Sequence, residues 1–359
     1  MLAVPTPAAA ARLETLKRVD TLIKAKFGKK YSVSMFGSSS YGVSSASSDL
    51  DLVIQDSSQP KGVKASIVKQ LPSIYKIEKV ARILRVAGYR NVKPIPAVVP
   101  IVKFTDPKTR LQCDINVNDR LGLMNTELIK QYFQLHPLLQ PMVALVKLWA
   151  KPLGLNNPSK PNTTTTFNSY ALALMIIGFM QMKQLLPNLQ AHLPPAKGME
   201  SELVWSRKPA VLCDVRFHRP EDHQAVQETE LPSLARAWFY YWGFQHQYGT
   251  QMTSIRHGGI VSRPAPCLKW SDSNPTGQIP DIGTPAYECT EIELEASEIN
   301  DKWAQDPICV VDPFIRTKNV AGSVGKRSVR LFQRSCQEAA LRGLFEGLGE
   351  IVGSRLIKV

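Results

Sequence analysis

Two acids one residue apart, Asp49 and Asp51, close a Gly/Ser-rich stretch that begins at Phe36-Gly37-Ser38. In a strand, positions i and i+2 face the same way, so a strand at 50–54 would carry both carboxylates on one side. Paired carboxylates repel unless a cation joins them, and hard oxygen ligands suit Mg2+ or Mn2+. A third acid, Asp114, lies in the β-rich run 111–117. If that strand neighbours the first, Asp114 completes a three-carboxylate cage for two metal ions. Such a cage suits phosphoryl transfer, with one ion at an attacking hydroxyl and the other at a triphosphate. Gly37 lets the backbone approach a phosphate closely, and Ser38 adds a hydroxyl donor. Asp-x-Asp alone is common and usually structural. The specific signal is strand, Gly-Ser, spacer, Asp-x-Asp and a later strand acid together.

The elements that must hold these residues follow from periodicity. Apolar spacing at Leu13, Leu16, Val19, Leu22 and Ile23 predicts a helix over 8–26. Strands are expected at 31–36, 50–54, 98–104 and 111–117, with a basic helix over 61–86. Further helices are expected at 123–135, 141–151, 168–186, 233–244 and 328–348, with Pro/Gly/Ser-rich loops at 152–166 and 262–285. Strands first and helices afterwards imply an α+β chain, a small catalytic sheet followed by a mostly helical domain.

The chain has 359 residues and a net charge of +14. Residues 61–110 hold twelve Lys/Arg against two acids, and 313–359 hold nine against three. Clustered positive charge is the footprint of a nucleic-acid binder, although each cluster alone also suits a solvated helix face. Residues 288–306 run the other way, with seven acids and one Lys; no role is assigned to them. Six scattered Cys without C-x-x-C exclude a Cys-rich zinc module and a disulfide scaffold, and fit a reducing, cytoplasmic setting. The six His form no metal spacing. No apolar run is long enough to span a membrane, and no secretory leader is recognisable. A helix almost at the start and ordered-looking sequence to the end suggest a core cut from a longer chain.

A second group of residues follows Asp114. Asn125-Thr126 opens a helical stretch. Lys147 and Lys151, at i and i+4, share one helix face and would gain from a bound anion. Asn168-Ser169-Tyr170 begins a strongly apolar helix, and Tyr170 has a ring that a nucleobase could stack on. The aromatic run 238–244 reads more readily as core than as a binding stripe.

The run Phe36-Gly37-Ser38-Ser39-Ser40-Tyr41-Gly42 with Asp49-Leu50-Asp51 resembles the signature of DNA polymerase β-like nucleotidyltransferases. Within that group the chain is similar to the template-independent RNA terminal nucleotidyltransferases: poly(A) and poly(U) polymerases and the fungal CUCU-tagging enzymes. The resemblance implies a nucleotidyltransferase domain at 31–120. It implies a helical domain at 1–30 and 121–359, with a poly(A)-polymerase-associated region at about 234–314 and the cleft between the two domains. It also implies that Asp49, Asp51 and Asp114 hold the metals and do catalysis. Asn125 would contact the ribose, Lys147, Lys151 and Ser169 the phosphates, and Tyr170 the base. Asp312, in a closing Asp-Pro-Phe motif, would lie near the base pocket.

Uridylyl-preferring relatives carry a Glu and a His after that motif, where this chain has Ile315 and Lys318. An ammonium donates but cannot accept hydrogen bonds, so Lys318 suits a pyrimidine O2 or O4 or a purine N7. Pyrimidine tagging is expected, with adenosine open. Lys103, Arg256 and Arg263 are candidate RNA contacts. The expected partners are an NTP and a single-stranded RNA 3′ end, with the chain a monomer. The other readings are a nucleotidyltransferase with a non-RNA acceptor and a catalytically silent RNA-binding module.

Overall fold

A computed structural model describes residues 7–43, 48–157, 165–194, 199, 202–219, 230–263 and 305–342. Cys267, Cys289, His223, the expected loop beyond Arg263 and most of the acidic stretch lie outside these residues.

Five strands make one mixed sheet: β1 (Tyr31–Phe36), β2 (Leu50–Asp56), β3 (Arg90–Ile95), β4 (Ile101–Thr105) and β5 (Gln112–Val117). Their spatial order is β1-β2-β5-β4-β3. β2 and β5 run parallel at the centre, with antiparallel neighbours on both sides. Side chains alternate across the pleat. Leu50, Leu52 and Ile54 of β2 and Cys113, Ile115 and Val117 of β5 enter one apolar cluster. Asp51 and Asp114 therefore point from the other face.

Two helices cover the apolar face. α1 (Pro7–Phe27) contributes Val19 and Ile23, and α2 (Ile77–Val86) contributes Ile77, Val80, Ala81 and Leu84. α1 is also fastened by polar bonds. Arg18 donates to the fully buried Asp106 at 2.6 Å, and the Val33 N–H donates to Asp20 at 2.8 Å. By packing, α1 goes with the sheet and not with the helical region to which residues 1–30 were expected to belong.

The expected helix over 61–86 is broken. 3-10 turns at Ala65–Gln70 and Ser73–Tyr75 precede α2. Pro72 separates them, and its locked φ and missing N–H stop a continuous helix. The expected strand at 98–104 begins only at Ile101, and the edge strand β3 was not anticipated. β3 contains Pro94, which an edge position tolerates.

The second cluster is helical: α3 (Leu121–Leu135), α4 (Leu139–Ala150), α5 (Ser169–Met182), α6 (Leu231–Tyr240) and α7 (Lys326–Arg342). α5 is buried on every side, from Ala171 to Gln181. A π-helical turn, Tyr241–Gln245, continues α6. The hairpins β6–β7 (Leu203–Trp205, Leu212–Asp214) and β8–β9 (Gln251–Ser254, Gly259–Ser262) were not anticipated. Trp238, Phe239 and Trp242 are fully buried, as expected of a core run, whereas Tyr240 and Phe244 point outward. Tyr41 and Val43, from the loop after β1, join this cluster and link it to the sheet. Among the described residues no helix is long and apolar enough to cross a membrane, and the four described Cys are free and buried.

Candidate active site

The parallel pairing of β2 with β5 sets Asp51 directly opposite Asp114. Asp49 precedes β2 and is close enough for its charge to act on both. Burial, then Asp114 and Asp49, push the Asp51 carboxyl up to about 7. Burial also raises Asp114, against the pull of Lys103. Lys103 stands opposite Asp114 across the β4–β5 ladder and donates to it at 2.6 Å. Its ammonium is thus engaged with the carboxylate, a different use from the expected RNA contact.

The expected cage is only partly assembled. Among the described residues, no three His, Cys, Asp or Glu side chains are gathered tightly enough to hold a metal ion. The donor set still fits a hard divalent cation. Asp51 and Asp114 present carboxylate oxygens side by side, and the charge that helps lift the Asp51 pKa is what a cation would neutralise.

Gly37 begins the turn after β1 with φ +69°, a left-handed conformation that favours glycine. A Cβ built there would lie 2.9 Å from the Asp51 carboxylate oxygen. The residue thus leaves room for the acid. Its N–H donates to the Thr126 hydroxyl at 2.8 Å, so it is not offered to a phosphate as the sequence suggested. The Ser38 hydroxyl makes no hydrogen bond among the described residues. Sequence reasoning missed Thr126 as the anchor of this turn; the signal available was a hydroxyl next to Asn125. It also missed Gln140, whose side-chain amide donates to the Tyr41 and Gly42 carbonyls at 3.3 Å.

α4 brings Lys147 to the same turn, where its ammonium donates to the Val43 carbonyl at 2.9 Å. Burial and the neighbouring Lys151 lower Lys147 to about 8, and Asp51 offsets part of this. The pair shares one face, as the i, i+4 spacing requires. The Asn125 side-chain oxygen is buried without a hydrogen-bond partner among the described residues.

At the start of α5, Asn168 caps the helix by accepting from the Ala171 N–H at 2.7 Å. Ser169 donates to Asn156 at 3.3 Å, and Tyr170 donates to Asp312 at 3.5 Å. Asp312 is 2 % exposed and accepts the Phe314 and Ile315 N–H groups. Burial raises its pKa, opposed first by Lys318, whose side chain is exposed. Ile315 is packed in the helical cluster. Asp119 faces Arg207 and the same Lys318 charge, and burial raises it too. Sequence reasoning missed this acid because nothing in Asn-Asp-Arg marks it apart from an ordinary turn.

The other RNA candidates divide. Arg263 donates to the carbonyls of Gln251, Asp306 and Tyr248, so its guanidinium ties β8–β9 to the chain around Asp306 and is not available as a free RNA contact. Arg256 lies near Asp214, whose carboxyl feels its charge.

Residues 3–134 match the family described as poly(A) RNA polymerase, mitochondrial-like, central palm domain. This segment is similar to that palm domain. The match takes in α1 and most of α3 with the sheet, in agreement with the packing of α1. Over longer stretches the chain is related to poly(A) RNA polymerases. It is 29% identical over 266 residues to poly(A) RNA polymerase cid13 of Schizosaccharomyces pombe, covering 71% of this chain and 41% of that protein. It is 26% identical over 275 residues to poly(A) RNA polymerase GLD2 of Mus musculus, covering 75% and 54%. The chain thus spans about half the length of these relatives, or less. A crystal structure of the Cid1 poly(U) polymerase superposes with TM-score 0.66 at 21% identity, over 93% of this chain and 87% of that one. The fold is therefore α+β, a palm-like sheet unit joined to a helical region.

Proposed function

We propose that this chain adds ribonucleotides from NTPs to the 3′ end of single-stranded RNA without a template, releasing pyrophosphate. The observation that carries this reading is the facing pair Asp51 and Asp114 on adjacent parallel strands, beside the Gly37 turn and the Lys147–Lys151 face. Relatives named as poly(A) and poly(U) polymerases support it.

Asp51 and Asp114, with Asp49, would hold Mg2+ or Mn2+. When bound, the cation supplies positive charge to the triphosphate and acidifies the primer 3′-hydroxyl. The protein's own part is positioning. Lys147 and Lys151 hold the phosphates, with Ser38 and Ser169 as hydroxyl donors. Asn125 offers its unpartnered oxygen to a ribose hydroxyl. Tyr170, steadied by Asp312, presents its ring to the base. The 3′-hydroxyl gives its proton to water, its oxygen attacks the α-phosphate in line, and the bond from the α-phosphorus to the bridging oxygen breaks as pyrophosphate leaves. Lys318, an exposed donor near Asp312, supports pyrimidine tagging with adenosine also accepted. Release of Asp114 by Lys103 would free that ammonium for the primer backbone, with Arg256 as a second contact. The cleft between the 31–120 region and the helical region would hold the substrates, in a cytoplasmic monomer.

The test is extension of a short single-stranded RNA with each NTP separately and Mg2+, resolved on a sequencing gel. A ladder with concurrent pyrophosphate release is expected. No extension with any NTP, with Mn2+ also tried, would sink the reading.

A further inference from the structure

Most of the 238–244 aromatic run is core, but Tyr240 and Phe244 are 48% and 47% exposed. Their rings touch each other, with centroids 5.0 Å apart. Arg236 precedes Tyr240 by one helical turn and is also exposed. α7 lies alongside, with Phe332 against Trp238 and Trp242. The contact is close: Gln337 donates to the Gly243 carbonyl at 2.9 Å, and a Cβ on Gly243 would meet the Gln337 backbone nitrogen at 2.9 Å. The outward side of α7 carries Arg327, Arg330 and Arg334. Among the described residues, Arg236 and these three make no ion pair or side-chain hydrogen bond. Glu338 is the only acid on that helix.

The other end of α7, and the segment just before it, lie against the chain leading into α5. Ser328 donates to the Thr165 carbonyl at 2.9 Å, and Asn168, which caps α5 ahead of Ser169 and Tyr170, donates to the Val320 carbonyl. From Ser328 to Gln337 the helix advances about 14 Å. A line of arginines thus leads from the start of α5 to an exposed aromatic pair. Guanidinium groups suit phosphates, and an aromatic face accepts any base.

We propose that Tyr240 and Phe244, with Arg330 and Arg334, form a stacking platform for single-stranded RNA upstream of its 3′ end. The proposal rests on the RNA reading above. It assigns the platform to RNA length and retention, outside the chemistry. The face suits a polyanion with flat rings better than an acidic protein, which would not use the rings' stacking faces.

The test is fluorescence anisotropy with fluorescein-labelled single-stranded RNAs of about 5 and about 20 nucleotides. Tyr240→Ala/Phe244→Ala should weaken the longer RNA about tenfold, about 1.4 kcal/mol. It should leave the binding and extension of the shorter one unchanged. Tyr240→Phe, which keeps the ring, should bind like wild type. Arg330→Gln/Arg334→Gln should reduce the salt slope for the longer RNA by about 1.4. Equal affinity of the double-alanine variant and wild type for the longer RNA would overturn the platform while leaving the RNA reading intact. Wild type that binds neither RNA would overturn both. Loss of affinity for a polyglutamate peptide, with none for RNA, would overturn the platform in favour of an acidic partner. All four residues are exposed, and matching thermal unfolding midpoints check the fold.

Discussion

Asp51 sits under burial and between two negative neighbours, and its neutral form is favoured until the pH passes about 7. Gly37 makes that crowding tolerable by giving up its own Cβ. Gly37→Ala combines a left-handed φ with a contact at 2.9 Å to the carboxylate. It should lower stability by about 1–2 kcal/mol in urea titrations and reduce extension on the order of a hundredfold. Lys147 has the opposite problem, a cation held among other cations and partly dried, with a pKa of about 8. Only its protonated form attracts a triphosphate. Without metal, NTP affinity by calorimetry should fall as pH rises through about 7, where Asp51 ionises, and again through about 8, where Lys147 loses its proton. Lys147→Met should bind weakly and lose the step near 8 while keeping the one near 7; an unchanged pH profile in that variant would exclude Lys147 as a titrating group. The types and spacing of Asp49, Asp51 and Asp114 single them out in the sequence, and the sheet sets two of them, Asp51 and Asp114, opposite each other. Arg263 was misjudged because a charge in the sequence does not reveal that three carbonyls already occupy it.

α1 is held by more than apolar contact, since Arg18 reaches the buried Asp106. Burial alone would raise Asp106, but Arg18 and the N–H groups of Thr109 and Lys108 outweigh it and leave its pKa lowered. Arg18→Met should therefore cost about 3 kcal/mol by leaving a buried charge unpaired; a loss below about 1 kcal/mol in denaturant titration would show that water screens the site. The π turn after α6 buries His246, which bonds the Tyr241 hydroxyl. Burial, then Arg263, lowers its pKa to about 3. Folded protein then binds fewer protons than unfolded protein between about pH 6.5 and 3, so stability falls as pH falls through that window. The slope from this one group approaches about 1.4 kcal/mol per pH unit. His246→Gln should unfold with a visibly shallower acid dependence. Helices α3 to α5 were readable from apolar periodicity, within a few residues. β3 and the two small hairpins were not, because short strands with Pro or Gly look like turns until a neighbour supplies their hydrogen bonds. The grouping of α1 was misread for a related reason: its apolar stripe was plain, but the surface it would pack against was not.

The charge of +14 belongs to the chain as a whole. It predicts that RNA affinity falls steeply with salt, whichever bases are present. Charge clustering and the α+β order of elements could be read before the fold was known, and the match of residues 3–134 to a poly(A) RNA polymerase palm agrees with them. The pairing of Asp51 with Asp114 could only be stated conditionally, since parallel strands 63 positions apart in sequence meet only through the whole sheet. The central claim is that this pair performs nucleotide transfer. The most direct measurement is single-nucleotide extension of a short RNA by wild type, Asp51→Asn and Asp114→Asn, beside their unfolding midpoints. Both variants should lose extension on the order of a thousandfold, with midpoints equal to or above wild type because a like-charge repulsion is gone. Extension retained within tenfold in either folded variant would contradict the account.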